Sequence, residues 1–441
     1  MKKLLYLCFI SSLVFVSCKK DKPGVDLQAV TVQLVYPAGS GLSATTGVTV
    51  KASTTTSTFE ATTDATGKAV FAIPAGLYEF SASETRTANF NVYVYNGLKS
   101  NVSVTSNWPS TDIIPLELTE SKSSQVVIKE IFVGGSPNNA GTGTFAYDKY
   151  ITLYNNSTTP ADLSNVCLGM VSPFNSNATN NYYGTDGKLI YEAENWIPAV
   201  QAFWYFTSPV TLQPGKQIVI ALNNAVNNTI TYTKSINFDN AEYYCTYDVA
   251  NFSHAATYVS PSASIPTSHY LKAQKYATAT AWALSATTPG PFLFKLEGTT
   301  PAAFAADASS THVLTTAYTS KKIPVDWVLD GVEGYLLNNT SNKKRFTANV
   351  DAGYVYHDNG AGYSIYRNVD KAATEAIAAN AGKIVYSYAL GTTDIGTGGT
   401  TDLSGIDAEA SIRNGAVIIY QDKNNSTLDF HLRKKAALSN Y

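Results

Sequence analysis

Charge is what this 441-residue chain has least of. Asp, Glu, Lys and Arg together make up 15% of it, against roughly 25% in a typical soluble protein. The 31 basic and 33 acidic side chains nearly cancel, so there is no basic field to hold nucleic acid. Cysteines number four and histidines five, and none falls in a CxxC or Cys/His cluster, which disfavours zinc. P-loop, GxSxG, HExxH and EF-hand patterns are all missing, which removes the motifs that announce nucleotide, acyl-transfer, metalloprotease and calcium chemistry. His357-Asp358 is the one close His–acid pair, and neighbours on a strand face opposite ways. Asp422 to Ser426 has calcium-like residue types without calcium-loop spacing. No catalytic residue, metal site or cofactor is expected. The longest apolar run, Leu4 to Val16, has 13 residues, too few to span a bilayer.

That run follows Met1-Lys2-Lys3 and precedes Ser17-Cys18, the three-part layout of an export signal. Phe15-Val16-Ser17-Cys18 resembles the lipobox of bacterial lipoproteins, with Phe15 where Leu is usual. The resemblance implies a signal peptide over residues 1–17, a lipid on Cys18 and an outer-membrane location, facing the periplasm or the cell surface. Removing Lys2 and Lys3 leaves 29 basic against 33 acidic groups, or minus 4. Residues 18–27 carry a Pro-Gly breaker and read as a tether. Beyond it only Cys167 and Cys245 remain. Two thiols in an oxidising compartment are candidates for a disulfide, whose geometry sequence does not give.

From Ala29 the apolar residues alternate, as in Val30, Val32 and Leu34, and again at Val48-Thr49-Val50 and Phe90-Asn91-Val92-Tyr93-Val94-Tyr95. Period two with one buried face predicts an antiparallel sandwich. Asp64 and Gly67 suit the ends of a tight turn, as do Pro74 and Gly76. The run from Asp64 to Tyr78 resembles the carboxypeptidase-regulatory, transthyretin-like family, which implies a seven-stranded spacer module over residues 28–120 without catalytic residues.

The polar stretch Glu120 to Ser124 predicts a domain boundary. After it come Val126-Val127-Ile128-Lys129-Glu130-Ile131-Phe132, Tyr150 to Asn155, Val166-Cys167-Leu168 and Gln217 to Leu222, joined by Asn, Asp, Pro and Gly. In this order, and with Asp422 to Phe430 as a closing element, they resemble a lamin-tail domain, an immunoglobulin-like sandwich. The resemblance implies one domain over 125–441, with insertions at about 170–210 and 224–410. Within the second, Ile384 to Tyr388 reads as a β-like run, and Lys371 to Ala381 as a helix capped by Asp370 and stopped by Gly382. Trp327 to Glu333, Lys344-Arg345-Phe346, Val350 to Gly353 and Tyr363 to Arg367 together resemble a family of Bacteroides-type lipoproteins of unknown function, the domain of unknown function 4876. The fold class expected is therefore all-β, with two β-sandwiches.

Tyr182, Tyr183, Trp196, Trp204 and Tyr205 fall in or beside the first insertion. They are either the insertion's own core or a platform on which a sugar ring stacks. Glu130, Asp148, Asp162 and Asp429 sit at turns and strand edges and are expected to bond to backbone amides rather than act in catalysis. The expectation is a non-enzymatic, outer-membrane lipoprotein that captures a ligand or acts as an adaptor. Its candidate partners are the membrane through Cys18, an outer-membrane transporter and a glycan. The alternatives are a glycan-active hydrolase and a structural or fibre component of the envelope.

Overall fold

The computed structural model describes residues 26–439 apart from 39–41, 43–45, 55–56, 89–90, 315–318, 359–361 and 393–399. The signal peptide, Cys18 and most of the tether lie outside the described residues. The chain forms two compact units, one of residues up to 84 with 95–120, the other of 85–94 with 121–441. The polar stretch at 120–124 is the end of a strand, and one residue separates it from the next strand.

Unit 1 is one seven-stranded sheet. Its strands are β1 (Leu27–Val35), β2 (Thr49–Ser53), β3 (Thr58–Thr62), β4 (Lys68–Pro74), β5 (Gly76–Ala88), β6 (Asn91–Val104) and β7 (Ile113–Ser124), in the order β3-β2-β5-β6-β7-β1-β4. The alternation read from sequence is the alternation of burial: Val30, Val32 and Leu34 face in, as do Ala69, Phe71 and Ile73. The two ends of the sheet, β3 and β4, come together, so the apolar face closes on itself around Phe71 and Phe80, whose rings meet edge-on at 5.7 Å. One pairing departs from the antiparallel expectation, β1 running parallel to β7. The first expected turn is present, whereas between Pro74 and Gly76 the chain only bends at Ala75 and β4 and β5 do not pair. Asp64 accepts the backbone N–H of Thr66 and Lys68, and Gly67 takes φ +77°, a value that costs glycine nothing.

Unit 2 is built on an eleven-stranded sheet. In chain order its strands are β8 (Val126–Phe132), β9 (Tyr150–Asn155), β10 (Val166–Met170), β11 (Ala202–Tyr205), β12 (Gln217–Ala221), β13 (Tyr244–Thr246), β14 (Tyr270–Lys275), β15 (Pro291–Lys295), β16 (Val328–Gly331), β17 (Ser364–Arg367) and β18 (Phe430–Arg433). Their order across the sheet is β16-β15-β10-β11-β14-β13-β12-β9-β8-β17-β18. The sheet curls until β16 lies against β8, wrapping a core that contains Ile128, Leu153, Leu168, Trp204, Trp282 and Ile365. All-β is therefore the class. The stretches read as insertions are not appendages, however, since six of the eleven strands come from them.

Two local expectations change. Ile384 to Tyr388 is not a strand; its backbone is bonded instead to the segment 405–411, Val385 receiving Asp407 N–H and Tyr388 donating to Gly405. The helix is Lys371–Glu375, capped by the Asp370 side chain, and then breaks into a 3-10 turn at Ala378–Asn380.

Candidate functional site

Two ionic knots hold unit 2 together, and both are made by the motifs that carried the family resemblance. Arg345 is fully buried. Its Nε donates to Glu333 at 2.7 Å, and its remaining nitrogens reach the carbonyls of Pro173, Phe174, Thr288, Pro289 and Gly334 at 3.0–3.3 Å. Glu333 also accepts the backbone N–H of Arg345 and Phe346, and Asp351 accepts those of Glu333, Gly353 and Ser426. Gly353 is required there, because a Cβ would stand 2.0 Å from Asn425 Oδ1. A guanidinium has five N–H donors, and this one spends them tying four loops to one point.

The second knot latches the curled sheet. β17 pairs with β8 only at Ile365–Ile131 and Tyr366–Glu130, so the backbone of Ile128 has no strand partner on that side. Side chains take its place: Asp330 on β16 accepts Ile128 N–H at 2.6 Å, and Arg367 on β17 donates to Ile128 O at 2.8 Å while pairing with Asp330. Burial pushes the Asp330 carboxyl up, against the pull of Arg367. Beside the latch, β8 bulges at Lys129, the extra residue opposite β9. The bulge brings Lys129 to Glu409 at 2.5 Å and Glu130 to Tyr150 and Ser364, both at 2.7 Å. Burial opposes ionisation of Glu409, but Lys129 prevails and holds its carboxyl down to about 2.

The four carboxylates named from the lamin-tail pattern are structural. Glu130 accepts Ala437 N–H, Asp148 accepts Ile236 N–H, Asp162 accepts Ser164 N–H, and Asp429 accepts those of Lys423 and Asn425.

The aromatic platform is corrected. Tyr182 and Trp204 have no exposed surface, and Trp196 is buried. Trp204 packs on Phe252, Tyr258 and Trp282 inside the sheet, whereas Tyr182 and Trp196 both pack on Tyr191 on the sheet's other side. Tyr183 and Tyr205 are half-buried, the former donating to Lys344 O. These residues divide between two cores and make no common surface. A sheet buried on both faces needs large side chains on each, which is the demand they meet. The disulfide is corrected too: Cys167 and Cys245 are free and buried, one in each of two different cores. Burial lifts the Cys167 thiol well above its usual range and the Cys245 thiol to about 12, so neither is a poised nucleophile.

Open surface remains in a cleft of about 500 Å³ directly over the latch. Asp330 and Val350 form its floor, and Ser123, Asn195, Asp326, Asn349, Lys423 and Asn424 line its rim. Asn195 at φ 58° and Asn424 at φ 51° hold left-handed backbone, which asparagine tolerates better than most residues but which still costs energy. One rim acid and one rim base cancel, leaving amides and hydroxyls beside the apolar Val325, Val328 and Ala348. Such a rim suits a neutral, hydroxyl-rich ligand. The floor carboxylate accepts Ile128 N–H and pairs with Arg367. Nothing in the linear sequence marks this site, because its residues come from five separated stretches.

Geometry of this kind defines an all-β protein whose second unit starts from a lamin-tail-like sheet. Comparison with known proteins agrees: residues 119–251 match the lamin tail domain, and residues 213–387 match the family described as protein of unknown function DUF4876. A crystal structure of a DUF4876 family protein from Bacteroides thetaiotaomicron is 22% identical, with a TM-score of 0.51 over 91% of this chain and 94% of that one. The likeness to this family thus extends in fold over nearly the whole length. The major pilin subunit of Bacillus cereus also matches, at 10% identity over 76% of this chain and all of that one, but with a TM-score of 0.16 it carries no argument. No curated protein matches. Neither family description names a reaction.

Proposed function

We propose that this protein is a non-enzymatic lipoprotein of the outer membrane, anchored through Cys18, whose second unit captures a neutral, hydroxyl-rich ligand of the glycan class in the cleft over the latch. The observation that carries this reading is the cleft's composition: exposed amides and balanced charge on the rim, above a carboxylate already committed to holding the sheet. Binding there needs hydrogen-bonding groups at the cleft mouth, and the exposed amides of Asn195 and Asn349 are placed to supply them. The lipobox-like segment supports the anchor.

Purified residues 19–441 presented with a glycan panel should bind without turnover. The double variant Asn349→Ala/Asp326→Ala should lose that binding while keeping the wild-type unfolding curve. Released product from any member of the panel, or binding indifferent to both substitutions, would sink the proposal.

A further inference from the structure

We infer that one end of unit 1 rests in the interfacial region of the lipid bilayer. The inference builds on the lipid-anchor reading and adds the surface by which the first unit meets the membrane.

Strand directions fix which groups share that end. β1 starts at Leu27 and pairs there with Pro74, the last residue of β4. The chain bends at Ala75 and β5 begins at Gly76, so Leu77 lies at the same end. β7 runs parallel to β1, with Ile113 opposite Thr31, so the loop that precedes it, with Trp108, is there as well. Five large apolar residues are exposed among the described residues of unit 1, and Leu27 and Leu77 on this end are 58% and 60% exposed. Ile113 and Val70 flank Thr31 in one cross-strand row, at 47% and 62% exposure. That row stands four residues, or about 13 Å, further from the end. Only Val35 lies apart, where β1 finishes. The opposite end carries the polar Asp64–Lys68 turn instead.

The chain's own length selects the occupant. Eight residues lie between Cys18 and Leu27, a reach of at most about 30 Å when fully extended. An acyl chain at Cys18 therefore holds this end within about 30 Å of the membrane surface, and its exposed leucines favour it over the polar end as the face that makes contact. Leucine side chains gain by entering the acyl boundary, and tryptophan favours the headgroup level. Tethering makes even a weak contact of this kind persist.

Trp108 is the one tryptophan of unit 1, which makes it a built-in probe. Acylated protein reconstituted into phosphatidylethanolamine/phosphatidylglycerol vesicles with brominated acyl chains should lose part of its tryptophan emission. Trp108→Phe should abolish the lost part, and Leu27→Ser/Leu77→Ser should reduce most of it. Vesicle-bound protein whose emission is untouched by bromolipid would overturn the inference. If flotation shows no binding and mass spectrometry finds a free Cys18 thiol, the anchor reading is what fails. Residues 19–441 held on nickel-chelating vesicles by an amino-terminal histidine tag still give the same readout, so quenching or its absence there decides the inference without acylation.

Discussion

The two units solve one problem in opposite ways. In unit 1 a strand such as β4 buries one face and leaves the other wet, so it reads out as alternating buried and exposed residues. In unit 2, β8, β9 and β10 are buried at every position. A strand covered on both sides has nowhere to send its polar residues, so unit 2 pairs them inside, as Arg345–Glu333, Arg367–Asp330 and Lys129–Glu409. In unit 1, by contrast, the Lys51–Glu60 bridge is exposed. What this teaches is where fragility lies. The interior of unit 1 rests chiefly on apolar area, whereas unit 2 also depends on charges that are costly as soon as one partner leaves.

The largest effect should follow from Arg345→Met. It leaves Glu333 buried with its main counter-charge gone and several carbonyls without donors, a loss of about 3–5 kcal/mol. Denaturant unfolding of unit 2, followed by its four tryptophans in a Trp108→Phe background, should shift by that amount, and the unit 1 transition should not move. An unshifted unit 2 curve would mean that packing, not the knot, joins the four loops.

This contrast also explains what could be read in advance. The strands of unit 1 were legible because Val30, Val32 and Leu34 announce a period of two. β13 and β16 were not, being three and four residues long and buried almost throughout, so no alternation marks them. Trp204 looked equally suited to a core and to a platform, because the same ring chemistry serves both. Glu333, Arg345, Asp351 and Arg367 stood out as a pattern, yet nothing in sequence tells a buried ion pair from a working one. The cleft was invisible for a different reason: Asn195, Asn349 and Asn424 meet only after the sheet has curled and the latch has closed.

A second effect, somewhat smaller, separates the units by pH. All five histidines lie in unit 2. Burial keeps His357 neutral down to about 4, while in the unfolded chain it takes a proton near 6.5, so between those values the unfolded state binds more protons. Stability of unit 2 must therefore fall as pH drops from 6.5 toward 4, with His357 contributing up to about 3 kcal/mol. His357→Leu should flatten that part of the profile. If unit 1, which has no histidine, shows the same slope, the difference between the units is not electrostatic.

The smallest effects test the alternation itself. Val30→Thr puts a hydroxyl into the closed face of unit 1 and should cost about 1–3 kcal/mol. Val70→Thr, on the outward side of β4, should stay within about 0.5 kcal/mol in solution. Because Val70 stands a row above Leu27 and Leu77, the same substitution should also leave bromolipid quenching of Trp108 nearly unchanged. A Val70→Thr penalty as large as that of Val30→Thr would mean that the outer face of unit 1 is covered in the free protein. Unit 1 would then be a two-faced sheet like its neighbour, and the distinction between one wet face and none would collapse.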